Sequence, residues 1–566
     1  MANEKKFKLD EKNIGVLPIV NHFMERLKVM EMFDSELPPG NGRAKLSPSK
    51  TLGVLLRNLI LNRMPLYSVG EWAARTAPEA IGLTSTEAEM LNDDRVGRAL
   101  DKLFEADRVA MLTDFVVRMV TSYEIALEQF HNDSTTLTLH GEYRDADGRM
   151  ERGKSTLQVC FGHNKDHRPD LKQLLWILTV SADGAVPVHF KATDGNIQDN
   201  NTHIETWEAL RRLVGAPDFL YVADSKLCTR DNLKYIHKAG GKFITILPQT
   251  RGEDRLFKDW LKKNSADWEE VVRFLHPGQE DKPDIIKAVH SPIPDADGYR
   301  LVWFHSSQKQ ERDAQSRQNQ IMRAFKKLEA LKAKLEGPRC RYCSLAAVES
   351  AAGGILSRTG TEAWINYKVD TLKEENFRQE RRGRPGNDTR WRRTVKERFT
   401  LSWSLEKDKV RLDSRTDGVF PLLTNDDNLS FLEIITAYKT KQPMVEKRHD
   451  LLKNTLEVTP AYLKSISRLE AFLFIGFISI TIHALIEKKM RDAMSEQHIE
   501  SLPLYPEGRK CHAPTMARLI DVFGNLQRHL LTDGKKEVVQ RFDPELSQLQ
   551  LEVLELFDLS PQIFKI

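Results

Sequence analysis

The residues best suited to chemistry in this sequence are carboxylates. Asp133 lies within FHNDSTT at the head of a β-rich region, and Asp224 closes the apolar run FLYVAD where a strand meets a loop. In open α/β sheets, groups at the carboxyl ends of neighbouring strands converge on a crevice, so two such carboxylates can share a metal. An Asp at a strand end is also a common turn former or helix cap, so neither residue specifies a site alone. The third candidate is Glu446 in YKTKQPMVEKRHDLLK, which shares a helix face with Lys453. A solvated Glu in a charge-rich helix explains the same pattern. Hard divalent ions take oxygen ligands, so three carboxylates holding two Mg²⁺ ions about 3.5 to 4 Å apart would cut phosphodiesters. One ion would activate the attacking oxygen and the other would stabilise the leaving one.

The elements that must hold these groups follow from texture. From Leu17 to about Ala110, apolar residues recur at helical spacing in VNHFMERLKVMEMF and TLGVLLRNLILNRM, predicting an N-terminal helical domain. From about Phe130 the strands TTLTLHG, QLLWILTVS, VPVHFKAT, FLYVADS and KFITILP follow, with helices over about 202–213 and 229–239. The order βββαβαβ predicts a mixed sheet with helices on its faces. Residues 256–415 read as an insertion: a heptad-like stretch (Ile321, Phe325, Leu328, Leu331, Leu335) ends at Gly337-Pro338, and WINYKVD and RFTLSWSLE are strand-like. Ala471 to Ile486 is apolar but interrupted by Ser479, Thr481 and His483 and closed by charged residues, as expected of a buried helix rather than a span. A last amphipathic portion runs from about Pro514 to Leu531.

With 566 residues, 40% hydrophobic and 29% charged, the chain has the balance of a soluble, multi-domain globular protein, not a disordered or membrane one. Lys and Arg number 85 against 81 Asp and Glu, so any nucleic-acid surface must arise from charge segregation. Five cysteines and no charged-then-apolar leader at Met1 point to a reducing cytoplasm.

The Asp133 strand, GHNKDHRPDLKQ (162–173), VADSKL around Asp224, DGVFPLLTN (417–425) and the Tyr438 to Lys453 segment, in this order, resemble the DDE transposases of bacterial insertion sequences. The match is to the insertion-sequence-four superfamily and its branch with a helical N-terminal domain, over about residues 12–530. The resemblance implies an α/β fold: an RNase H-like mixed-sheet catalytic core interrupted by an α+β insertion. The division it implies is 1–115 for the helical end-recognition domain, 116–255 and 416–492 for the split core, 256–415 for the insertion and 493–566 for a helical tail. It also implies Asp133, Asp224 and Glu446 as catalytic metal ligands, with Mg²⁺ as cofactor, Mn²⁺ as its substitute, and two ions per site. The family's tyrosine, arginine, glutamate, lysine signature reads Tyr438, Lys441, Glu446 and Lys453 here. Lys441 replaces the arginine, losing its bidentate fork, and one extra residue separates it from Glu446. The implied activity is cleavage at transposon ends, then attack of the freed 3′-hydroxyl on target DNA. The implied partners are double-stranded DNA of terminal inverted repeats and target and a second copy in a synaptic homodimer, with no membrane; the implied location is the bacterial cytoplasm at the nucleoid. In the superfamily the second strand is cut through a hairpin, commonly with a flipped base stacked on an aromatic residue. Trp303, Trp364, Trp391 and Trp403 lie in the insertion; core packing explains each equally.

Residues 377–400 (FRQERRGRPGNDTRWRRTVKERFT) hold nine Arg or Lys against three Asp or Glu, the strongest basic run in the chain. Within it Arg382-Gly383-Arg384-Pro385 spells the core of a minor-groove AT-hook. A solvated loop, phosphate contact without sequence reading, and minor-groove insertion all remain open. Cys340 and Cys343 form an isolated CxxC, too few ligands for structural zinc. His131, His163 and His167 are expected to be scaffold. Two other classes compete with the enzyme: an inactive transposase-derived DNA-binding regulator, and an RNase H-like nuclease without strand transfer. All three carboxylates being present favours the enzyme.

Overall fold

The computed structural model describes residues 7–37, 45–61, 64–275, 282–337, 340–458, 463–533 and 537–565. Met1 and Pro338 lie outside the described residues. The chain forms two compact units, Met1–Thr245 with Glu433–Ile566, and Ile246–Leu432.

The first unit is built on the strands β1 (Gln129–Leu139), β2 (Lys172–Ser181), β3 (Pro187–Asp194), β4 (Leu220–Ala223) and β5 (Lys242–Ile246). Their order in the sheet is β3-β2-β1-β4-β5. β1, β2 and β3 pair antiparallel, whereas β4 runs parallel to both β1 and β5. This is the RNase H-like arrangement, a mixed α/β sheet with the helix His203–Val214 between β3 and β4 and the helix Arg230–Lys238 between β4 and β5. The continuous apolar run of β2 is buried from Gln173 to Ser181, as expected of a strand covered on both faces. Gly215, at φ 79°, ends the first of these helices in the left-handed conformation. Thr229 opens the second by accepting the Asn232 N–H.

Two later helices return to this unit, α1 (Pro443–Val458) and α2 (Ile466–Glu496), and the apolar segment at 471–486 is the centre of α2. α2 is long and apolar enough to cross a membrane, but 94% of its most apolar window is buried inside the protein. Apolar residues surround its whole circumference because it is covered on opposite sides. Phe477 stacks on Phe190 of β3 at 4.7 Å and meets Phe115 of the N-terminal helix Arg108–Tyr123 edge-on at 6.4 Å. Arg468 donates twice to Asp101, at 2.8 and 2.9 Å, and Arg108 donates to Glu470 at 3.0 Å. These paired charges lock the N-terminal helices to α2. Within those helices, Asn92 accepts the Arg95 N–H and Asp107 the Val109 and Ala110 N–H groups, satisfying donors that a helix start leaves open.

The expected helical tail proves mixed. The helix Met516–Phe523 stops before Gly524, and Gln527–Thr532 is a strand, paired antiparallel with Lys8–Asn13 and with Val538–Phe542. The amphipathic stretch was long enough for one helix, but partners at both ends of the chain draw its second half into a sheet.

In the second unit the strands Val419–Thr424, Arg300–Ser306, Asp284–His290 and Glu269–Phe274 pair antiparallel in that order. The heptad-like stretch lies on the 30-residue helix Ser307–Glu336. Leu328, Leu331 and Leu335 pack with Val348 of the helix Leu345–Thr359 and with Phe399 and Leu401. Those last two belong to the base of a long hairpin, β6 (Ile365–Gln379) and β7 (Trp391–Leu405). The two ends of the basic run form the outer half of this ribbon, in register from Ile365↔Leu405 to Gln379↔Trp391, and residues 380–390 are the loop that joins its strands.

Candidate active site

Register brings the two aspartates side by side. Asn132 of β1 pairs with Ala223, the last residue of the parallel β4. The next positions are Asp133 and Asp224, on backbones about 4.8 Å apart. The Asp224 Oδ1 accepts the Lys226 N–H at 2.9 Å, and its carbonyl accepts the Thr245 hydroxyl at 2.7 Å, fixing the strand end. Burial pushes the Asp133 carboxyl up to about 7; the Lys165 ammonium pulls it down, while the negative charges of Asp224 and Glu446 push it further up. Burial raises Asp224 as well.

Glu446 arrives on α1, which is tied to β1 at two levels. The Gln442 Nε2 donates to the Asn132 carbonyl at 2.8 Å, and its Oε1 lies 3.1 Å from His131 Nδ1. Two turns on, buried His449 places Nε2 3.7 Å from Asp133 Oδ2. That is too long for a hydrogen bond, and burial holds the ring neutral, its pKa pushed down to about 3. Gln442, Glu446 and His449 fall on one stripe of the helix, so docking by the outer two sets Glu446 over the aspartates, exposed on the open side.

The extra residue before Glu446 meets a local irregularity. Thr436–Lys441 is a π-helix, and the Gln442 N–H bonds back five residues to the Ala437 carbonyl at 3.2 Å. A π turn takes up one more residue than an α turn, so it can absorb an insertion without rotating the helix beyond it. Tyr438 lies in this turn. Burial raises its phenol first, then the charges of Asp224, Glu446 and Asp133, which places the hydroxyl in the field of all three carboxylates.

The structure thus gathers Asp133, Asp224, Glu446 and Tyr438. It does not gather the two lysines of the signature. Lys441 donates to the Ala182 carbonyl at 3.3 Å, and Lys453 pairs with Asp166 at 2.6 Å. Arg382 and Arg384 are exposed at the tip of the hairpin in the second unit.

Sequence reading missed the cation that sits nearest the carboxylates. The Lys165 Nζ contacts the Ser134 carbonyl at 2.5 Å, Ser134 Oγ at 2.8 Å and Asp199 Oδ2 at 3.0 Å, and stands 4.0 Å from Asp133 Oδ1. Ser134 Oγ also donates to Asp199 at 2.8 Å. The loop carrying Lys165 is sewn to alternate hydroxyls of β1. Its N–H donates to Thr136 Oγ1, Asn164 donates to Thr138 Oγ1, and Thr138 donates to Asp166, each at 3.1 Å. The loop starts at Gly162 for a steric reason: a Cβ there would collide with the Gly195 carbonyl, and one on Gly195 with the Gln173 carbonyl. The GHNKDH spelling was the available signal for Lys165; Asp199, in a polar loop, offered none.

Carboxylate oxygens are the donors that suit a hard divalent cation, and Asp133 is raised first by its burial and then, against the pull of Lys165, by the charges of Asp224 and Glu446. Among the described residues, no three His, Cys, Asp or Glu side chains stand close enough together to hold a metal ion as placed. All five cysteines are free. His163 contributes a carbonyl to Gln173 Nε2 at 3.4 Å, and His167 takes φ 58° in the same loop.

The four tryptophans of the insertion separate clearly. Trp303 is fully buried, stacked on Phe257 at 3.9 Å. Trp364 donates its indole N–H to Asp413 at 2.5 Å, and Trp403 lies tilted against Phe325 at 6.3 Å. Trp391 is 51% exposed at the end of β7.

Residues 9–117 match a domain of unknown function (DUF4277). No curated protein matches the sequence. The cryo-EM structure of the piggyBac transposase synaptic complex with hairpin DNA is similar at 8% identity and a TM-score of 0.38, over 88% of this chain and 78% of that one. So loose a likeness carries nothing about mechanism. Residues 130–482, more than half of the chain and including Asp133, Asp224 and Glu446, match the transposase DDE domain, a family of DNA-cleaving enzymes that use divalent metal ions. The chain therefore belongs to the transposase DDE domain family and is a DDE transposase of insertion-sequence type.

Proposed function

We propose that this transposase cuts DNA at the ends of its element and joins the freed 3′-hydroxyl to target DNA, using Asp133, Asp224 and Glu446 as the ligands of two Mg²⁺ ions. The observation that carries this reading is the register that sets Asp133 beside Asp224, with Glu446 on a helix docked to the same strand. Bound there, the ions supply activation of the attacking oxygen and stabilisation of the leaving one. The chain's own residues prepare the site. Gln442 and the π turn orient Glu446, the Thr245 and Lys226 bonds hold Asp224, and the Lys165 ammonium limits the repulsion among the carboxylates. Tyr438 keeps its proton at the phenolic oxygen and can donate to a phosphate or carboxylate oxygen. Lys453, partly exposed beside Asp166, is positioned to neutralise a DNA phosphate, and Lys441 can do so only by leaving Ala182.

The helical N-terminal region is assigned to end recognition, and Arg382 and Arg384 to DNA contact in the insertion. Cut-and-paste chemistry on paired ends requires two copies, so the working form is a homodimer on terminal inverted repeats. The test is a labelled duplex carrying the element's own end, incubated with the protein and either Mg²⁺ or EDTA. A Mg²⁺-dependent nick at the end boundary, with strand joining in the presence of target DNA, is the expected result. Tight binding with no nick would replace the enzyme by a DNA-binding regulator, and nicking without joining would replace it by a nuclease.

A further inference from the structure

The β6–β7 hairpin has two chemically different faces. Residues directly opposite in an antiparallel ribbon share a face, and successive residues alternate. One face carries Arg378 opposite Arg392, Glu374 opposite Lys396, and Leu372 opposite Arg398. The other carries Phe377 opposite Arg393, Glu375 opposite Val395, Lys373 opposite Glu397, and Gln379 opposite Trp391. On the second face the charges cancel locally: Lys373 faces Glu397 across the strands, and Arg393 is bonded to Glu375. On the first face, from Leu372 outward, four cations share the carboxylate of Glu374, which already takes Arg398 at 2.7 Å, while Asp370 nearer the base pairs with Lys368.

Arg378 and Arg392 are exposed and directly opposed, an arrangement that destabilises an isolated ribbon. A dense line of negative charge turns that cost into attraction. Duplex DNA carries about one charge per 1.7 Å of axis, and its major groove, about 12 Å wide, admits a two-stranded ribbon. Beyond the last ladder pair the Glu380 N–H still bonds the Arg390 carbonyl at 3.1 Å, and the Gly386 N–H donates to Thr389 Oγ1 at 2.7 Å. One cross-strand bond thus extends past the ladder, and a local turn closes the tip.

We infer that the face bearing Arg378, Arg392, Lys396 and Arg398 is the one that lies on the phosphate backbone of double-stranded DNA, and that the face bearing Lys373, Arg393 and Trp391 takes no phosphates. This rests on the reading that the chain acts on DNA, and it adds which side of the ribbon does so.

The test compares two full-length variants that each remove two cations from the same hairpin, R378Q/R392Q and K373Q/R393Q. Binding of a labelled random-sequence duplex is measured by fluorescence anisotropy over a series of salt concentrations. R378Q/R392Q is expected to weaken binding severalfold and to lower the slope of log affinity against log salt by about 1.8, near 0.9 per lost phosphate contact. K373Q/R393Q is expected to change affinity less than about twofold and leave the slope intact. The charge-preserving R378K/R392K should retain the wild-type slope, which separates loss of contacts from loss of the fold. Equal losses from the two faces, or no loss from either while the wild type binds, would overturn the assignment. Failure of the wild-type protein to bind any duplex would instead overturn the DNA-acting reading beneath it.

Discussion

The carboxylate cleft and the basic hairpin use charge in opposite ways. In the cleft, Asp133, Asp224 and Glu446 are brought together by sheet register and a docked helix, and Asp133 is sufficiently desolvated that its carboxyl rises to about 7. On the hairpin, Arg378, Arg392 and Lys396 stand in solvent, held only by the ladder of a two-stranded ribbon. Buried charge acts strongly over short distances and is weakly screened; exposed charge is individually weak, additive and sensitive to salt. Chemistry needs the first kind and a sequence-tolerant hold on DNA the second.

The sharpest way to break this comparison is to remove one carboxylate. Asp224→Ala should lower the rate of DNA nicking by about three orders of magnitude or more, several kcal/mol of transition-state stabilisation, while duplex affinity stays within about twofold. A comparable loss of binding would mean that the cleft also supplies the hold.

Next in size is the buried ion pair behind the cleft. Arg448 on α1 donates to Glu487 of α2 at 2.8 Å and to the Ala185 carbonyl at 3.1 Å, and its side chain is 6% exposed. Arg448→Met should destabilise the first unit by about 3 to 5 kcal/mol, because buried Glu487 would keep its charge with Arg491 only at 3.7 Å and the Met516 N–H at 3.1 Å. Urea unfolding followed by circular dichroism reads this; a change below about 1 kcal/mol would show that the pair does not hold α1.

A buried histidine sharpens the contrast through pH. Burial pushes His203 down to about 4, below the ordinary value near 6.5. A depressed folded value means that its contribution is full above about pH 6.5 and is lost as pH falls toward 4, up to about 3 kcal/mol. Hydrogen exchange of strands β1 to β5 should accelerate over that window, while exchange in the outer hairpin stays on its intrinsic pH trend. Constant protection of these strands would contradict the assignment of a neutral buried ring.

The smallest effect belongs to the ribbon itself. Val395 is 51% exposed, so Val395→Ala should shift global stability by less than about 0.5 kcal/mol. A larger shift in the urea midpoint would reveal that this face is covered.

Much of the catalytic unit was legible because its signals are local. Period-two runs and apolar strands mark all five strands in order, and Asp224 announces itself at a strand end, whereas Asp133 stands within β1. Register was not legible, since pairing of Asn132 with Ala223 is settled only when the sheet closes. The π turn before Glu446 left no mark except a one-residue discrepancy in spacing, whose structural meaning a linear pattern cannot supply. Lys165 was visible inside GHNKDH but its role was not, because its partners Ser134 and Asp199 lie on separate segments. In the hairpin, the strand-like WINYKVD and RFTLSWSLE were apparent, whereas the arginines between them masked the continuation of the ladder to Gln379↔Trp391.

The central claim is that cutting and holding reside in different groups. It is tested most directly by measuring nicking and duplex binding together, in Mg²⁺ and in EDTA, for Glu446→Gln and for R378Q/R392Q. The expected result is a crossed pattern: Glu446→Gln binds as the wild type does and does not nick, while R378Q/R392Q binds more weakly with a shallower salt dependence and still nicks at saturating DNA. Parallel loss of both activities in both variants would contradict the division.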